Sequence, residues 1–218
     1  MRDYFLKQDA IGLRGIRKED QETFLNWHND SGLREKIGGI FPFTEGVFER
    51  ICRGSTEEHP ADVWFAICRN DRLIGIAGLH SIKYIQRNAE LALLIGNPEE
   101  RRRGSGSLAL QLIESYAFGT LQMHRLYARV YGDNQGSRCF LEKCHWRQEG
   151  LLREASFWKN RFRDVEIWAK LEGKETVISP KEEKIDQNQC LYEKCSGRFF
   201  AKTARPLSAA VKDDSLTI

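Results

Sequence analysis

"AELALLIGNPEERRRGSGSLALQLIESYAFGTLQMHRLYARVY", residues 89–131, reads as strand, turn, helix and strand. Ala89 to Ile95 is an apolar run of strand length. From Gly106 the period changes: Leu108, Leu112, Ser115 and Tyr116 fall on one side of a helix, with Ala109 and Ile113 beside them. Arg125 to Tyr131 returns to aromatic and branched residues, which suit a strand. A strand joined to the next through a helix is a crossover unit, so the sheet is not purely antiparallel. Between the first strand and the helix lies Arg101-Arg102-Arg103-Gly104-Ser105-Gly106-Ser107.

That turn is where chemistry is expected. A helix N-terminus leaves backbone N–H groups unpaired and carries a partial positive charge. Glycines let the backbone come close to an anion, and the arginines add charge for more than one phosphate. A pyrophosphate therefore suits the turn better than a single carboxylate. Gly104-x-Gly106-x-x-Ala109, with Asp133 downstream, also satisfies a dinucleotide fingerprint. There the strand should run almost directly into the first glycine, whereas here Asn97 to Arg103 intervene. A plain helix start with a solvated basic loop is the remaining reading.

Working outward, "VWFAICRNDRLIGIAGLHSI" reads as two strands joined at Arg69-Asn70-Asp71. Upstream, "IGLRGIRKED" is a short strand whose Asp20 is placed to cap one helix over "QETFLNWHNDSGLREKI", and Thr44 is placed to cap another over 45–54. Downstream, Asn134 is placed to cap a helix over "NQGSRCFLEKCHW", and "FWKNRFRDVEIWAKL" gives a last strand after a turn at Lys159-Asn160. The fold class is α+β: a mixed, largely antiparallel central sheet flanked by helices. Residues 1–172 form the domain. After Leu171 the apolar periodicity fades, and 173–218 read as a partly flexible extension.

The chain has 218 residues, 30% of them charged, which fits a water-soluble domain plus an appendage. No apolar run approaches the roughly 18 residues of a membrane span, and the start lacks a secretion-signal core. The expected setting is the cytoplasm, with no membrane partner. A net charge of +3 with one arginine run makes nucleic acid a poor partner. Six cysteines without paired CxxC spacing read as reduced thiols, and no metal is expected.

Read again, Arg101-x-x-Gly104-x-Gly106 resembles the pyrophosphate turn of the GCN5-related N-acetyltransferases (GNAT). Asn134, Ser137, Leu141, Glu142 and Lys143, closed by Cys144-His145-Trp146, resemble the N-x-x-S-x-x-x-L-E-K-x-G-F pattern of the family's RimJ/RimL branch. The resemblance spans about residues 11 to 171. It implies the GNAT acyl-CoA N-acyltransferase fold with two splayed strands, Ala89–Ile95 and Leu126–Tyr131. It implies acetyl-CoA as donor cosubstrate and a primary amine, small molecule or protein N-terminus, as acceptor.

The cofactor would then lie against Leu93, Leu94 and Ile95, against Arg101, Arg102, Arg103, Gly104, Ser105, Gly106 and Ser107 at the turn, and against Asn134, Ser137, Leu141 and Lys143. Glu90 is the implied base, its apolar strand neighbours favouring proton uptake; an ion pair with Arg129 is the competing reading. Many relatives place a tyrosine acid where Leu141 stands here, which leaves Ser137 as the substitute. His145 replaces the family glycine. Trp27, Phe43, Tyr84 and Phe157 are candidates for the acceptor wall, or equally for core. A homodimer is compatible with this reading. A CoA-binding module without catalysis, and a polyamine or aminoglycoside acetyltransferase, are the alternatives.

Overall fold

The computed structural model describes residues 4–54 and 58–173. The 173–218 extension, Cys190 and Cys195 therefore fall almost wholly outside the described residues. The strands are β1 (Leu6–Gln8), β2 (Ile11–Gly15), β3 (Val63–Arg69), β4 (Arg72–Lys83), β5 (Asn88–Ile95), β6 (Arg125–Tyr131), β7 (Arg147–Trp158) and β8 (Arg161–Leu171). The helices are α1 (Gln21–Asn29), α2 (Ser31–Ile37), α3 (Glu45–Gly54), α4 (Ser105–Ser115) and α5 (Gln135–Lys143). One mixed sheet runs β1-β2-β3-β4-β5-β6-β8-β7. Every neighbouring pair is antiparallel except β5–β6, which is parallel and bridged by α4, as the crossover reading requires.

Alternation along the strands divides the core between the two faces of the sheet. On one face Val63, Phe65, Ile67, Ala77, Leu91, Leu126 and Ala128 pack with Leu110, Ile113 and Leu141 of the helices. On the other, Ala66 and Ile76 pack with Phe24, Phe48 and Trp27. Glu90 pairs across the ladder with His80, and Leu94 with Ile76, so Glu90 lies on this second face.

Several local expectations are corrected. The helix over 21–37 is two helices: Asp30 is extended (φ −62°, ψ 129°) and its carboxylate accepts the Leu33 N–H at 2.9 Å, which starts α2. Asp20 makes no cap bond to α1. Both of its oxygens take the Arg14 guanidinium at 2.7 Å, with the two side chains 3% and 4% exposed; a buried charge needs a charged partner more than a helix end does. The β3–β4 turn is tight, with Asn70 and Asp71 both at positive φ, which matches the twist of a two-residue hairpin. β1 escaped the sequence reading because it is three residues long. Most of β7 escaped because it is an edge strand with mostly exposed side chains, so it shows no alternation. Thr44 immediately precedes α3 and Asn134 caps α5, as read. No helix among the described residues is long and apolar enough to cross a membrane.

Candidate active site

β5 and β6 stay together for only three residue pairs: Asn88 with Arg125, Ala89 with Leu126, and Glu90 with Tyr127. Beyond Glu90 the ladder stops. Leu91 to Ile95 follow β4, while Ala128 to Tyr131 follow β8. The result is a fork whose β5 edge carries main-chain groups without a strand partner, able to pair with an extended ligand. Leu93, Leu94 and Ile95 lie on that arm.

The arm leads into the arginine–glycine turn. Arg102 (φ 61°) and Gly104 (φ 81°) are left-handed, and Arg103 between them is not. Alternation of this kind turns successive N–H groups toward one side, as in anion-binding nests. α4 begins at Ser105 without any side-chain cap, so its first N–H groups have no intrahelical partners. A Cβ added at Gly104 would meet nothing within 4 Å, so its glycine serves backbone conformation and not close packing. Gly106 is enclosed differently, between Phe140 of α5 and Ile95.

The arginines differ in role. The Arg101 guanidinium donates to the Ile95 carbonyl at 3.0 Å and the Gly96 carbonyl at 2.9 Å, bracing the end of β5, so it does not add charge at the front of the turn. Arg102 and Arg103 are exposed. Ser105 is fully buried; its hydroxyl accepts from Arg69 and donates to Glu100, while Arg69 and Glu100 pair at 2.9 Å. This trio anchors the turn to the end of β3. Ser107 lies 3.8 Å from the Cys144 thiol, in a cleft also lined by Gln111, Lys143 and His145.

On α5, the Asn134 side chain accepts the Ser137 N–H at 3.2 Å. Leu141 is only 3% exposed and packs in the core. Its place is fixed by the helix end. The Trp146 N–H bonds the Leu141 carbonyl, the His145 N–H bonds the Glu142 carbonyl, and His145 is left-handed (φ 62°). That is a Schellman end, with Trp146 and Leu141 packed in one core.

Glu90 stands at the apex of the fork, 7% exposed. Arg129 reaches across from β6 and donates its Nε to Glu90 Oε1 at 2.7 Å, which establishes the ion pair that the sequence offered as one of two readings. His80 Nε2 lies 3.8 Å from the same oxygen, its ring stacked on Trp64. The sequence suggests a hydrogen-bonded surface residue at His80; the β4–β5 register brings it beside Glu90. A bulge follows it, with Ser81 at positive φ. Burial, and then the charge of Glu90, push the Tyr127 hydroxyl above its ordinary pKa. The bond to Glu90 does the same for Arg129.

The four aromatics proposed for one acceptor wall are not brought together. Trp27 lies directly on Gly96, where any Cβ would collide with the indole, and Phe43 stacks on His28 at 4.2 Å; both belong to the face that carries Glu90. Tyr84 packs on the opposite face and donates to the Pro60 carbonyl at 3.0 Å. Phe157 pairs edge-on with Phe162 beside the β7–β8 turn. Alternation explains the split, since a sequence does not reveal which side of a sheet a loop aromatic meets. Tyr131, missed in the sequence, lies under the Arg163 guanidinium at 3.7 Å, and its hydroxyl occupies the space beside Gly38 that a Cβ would need.

Residues 11–147 match the family described as Acetyltransferase (GNAT) domain. The uncharacterized N-acetyltransferase YoaA of Bacillus subtilis is 31% identical over 181 residues, 81% of this chain and 98% of that protein. The ribosomal-protein-serine acetyltransferase of Escherichia coli is 32% identical over 49% of this chain and 59% of its own length. The solved structure of spermidine N-acetyltransferase from Vibrio cholerae, in complex with CoA and spermine, aligns with a TM-score of 0.69 at 25% identity, over 76% of this chain and 97% of that one. The splayed parallel pair, the uncapped helix and these likenesses agree: the chain belongs to the GNAT acetyltransferase family and is an acetyl-CoA-dependent acetyltransferase.

Proposed function

We propose that the protein acetylates a primary amine by direct attack, with donor and acceptor bound together. The observation that carries this reading is the position of Glu90, the last paired residue of β5 at the point where the strands part. The N–H groups from Arg102 to Ser107 hold the pyrophosphate, and the free edge of β5 at Leu93 to Ile95 holds the pantetheine arm. Acetyl-CoA supplies an acyl group already activated as a thioester.

The amine needs only to lose a proton and to meet the carbonyl in line. A C–N bond forms as the C–S bond breaks. Glu90 accepts the surplus proton of the amine, directly or through water. The sulfur leaves as a thiolate and takes its proton from solvent; Ser137, in the first turn of α5, donates a hydrogen bond to it, which adds little because a thiolate leaves well. A covalent acetyl-cysteine is unnecessary, and burial pushes the Cys144 thiol up, away from the nucleophilic thiolate. The acceptor is a small-molecule amine or a protein N-terminus; similar proteins are named a spermidine N-acetyltransferase and a ribosomal-protein-serine acetyltransferase.

The reading is tested by following CoA release with a panel of amines, for the wild type and for Glu90→Gln. General-base loss lowers kcat/KM by roughly 10²- to 10⁴-fold while acetyl-CoA still binds. A variant as fast as the wild type would remove Glu90 from the chemistry.

A further inference from the structure

We propose that Arg129 selects the acceptor, and that the acceptor is a small amine carrying a carboxylate close to its nitrogen, as in an α-amino acid. The inference rests on the acetyltransferase reading above and narrows its substrate class.

Arg129 crosses the mouth of the fork and engages Glu90 through Nε alone. Its side chain is 58% exposed, against 9% for Glu90. Among the described residues neither of its Nη nitrogens has a hydrogen-bond partner. A guanidinium held at one end, with its terminal N–H groups free, is shaped to receive a carboxylate. Tyr127 and Tyr131 flank it on the same face of β6, and Ile167 of β8 stands opposite it in the ladder, so nothing acidic besides Glu90 competes for it from these strands. The pair presents a negative and a positive group side by side. An incoming zwitterion matches that pattern in reverse, its ammonium on Glu90 and its carboxylate on Arg129.

The surroundings disfavour a polycation. A polyamine needs unpaired carboxylates around the mouth. Glu35 of α2 is bound by Lys159 at 2.8 Å. Asp133, just after β6, is shared between Arg161 at 3.1 Å and Arg163 at 3.6 Å. Glu90 has Arg129. Each of these three carboxylates already carries a cation, so a second positive charge on the acceptor would find no open partner among them.

The test is kcat/KM, at saturating acetyl-CoA, for α-amino acids, their carboxamides, aminoalkyl phosphonates and spermidine. A charge-assisted bond makes the free acid better than its carboxamide by about ten- to a hundredfold. Arg129→Gln should bring that ratio close to one, and Arg129→Lys should restore part of it. Phosphonates outrunning carboxylates would keep the anion but overturn the carboxylate. Carboxamides equal to the acids, or spermidine preferred over both, would overturn the inference while leaving the acetyltransferase reading intact. If no amine releases CoA above background, that reading falls and the inference falls with it. The acid-to-carboxamide ratio of the wild type decides the matter even if the variants fold poorly.

Discussion

His145 holds a backbone conformation that a side chain resists. It ends α5 at φ 62°, where a residue with a Cβ loses roughly 1 kcal/mol or more relative to glycine. The motif that surrounds it is intact, both of its hydrogen bonds being made and Trp146 packed with Leu141. The imidazole is therefore tolerated and not required by the fold. His145→Gly should raise stability by about 1 kcal/mol, read as a higher midpoint in thermal or urea unfolding. A lower midpoint would mean that the ring makes contacts worth more than the strain. Glu90 follows the opposite logic. Its carboxylate is nearly enclosed, so truncating it opens a gap and leaves the Arg129 Nε without its acceptor. For that reason the amide substitution, which keeps shape and hydrogen bonding, separates chemistry from stability better than alanine does.

The turn between β5 and α4 works as a unit of backbone. Its left-handed positions at 102 and 104 set the direction of the N–H groups, and buried Ser105 with Arg69 and Glu100 fixes the whole to β3. Gly104→Val should leave the fold standing, because open space surrounds the position. It should weaken acetyl-CoA binding at least tenfold by calorimetry, since a branched residue cannot hold φ 81° without cost. Unaltered affinity would show that the coenzyme does not depend on the shape of this turn. Much of the element was readable from the chain: the period change at Gly106, the cap at Asn134 and the Arg–Gly spacing are local signals. The role of Arg101 was not, because its partners are carbonyls and carbonyls have no signature in a sequence. Nor was the break at Asp30, where a capping residue sits inside an otherwise continuous helical pattern.

At the scale of the molecule, the sheet does two things at once. It continues unbroken through β4 and β5 on one side and through β6, β8 and β7 on the other, yet it parts in the middle after three pairs. α4 crosses from β5 to β6 over one face, and α1 and α3 pack on the other with Trp27 against Gly96. The parallel pair was legible because only a crossover helix can connect such strands. The composition of the acceptor side was legible only at Arg129, offered as an ion-pair partner of Glu90. The rest depends on which side chains the ladder brings near, and His80 comes from β4 while Tyr131 lies beyond the splay. Trp27, Tyr84 and Phe157 looked alike as aromatics and were separated only by the two faces of the sheet and its far hairpin.

The claim beneath all of this is that one ligand spans both features, its diphosphate on the turn and its reactive end in the fork. A crystal structure of the protein grown with CoA measures that directly. Density for the diphosphate within about 3 Å of the N–H groups of residues 102–107, with the sulfur lying beside Glu90 between β5 and β6, is the predicted result. Density for CoA elsewhere, with β5 and β6 zipped together past Glu90, would contradict it.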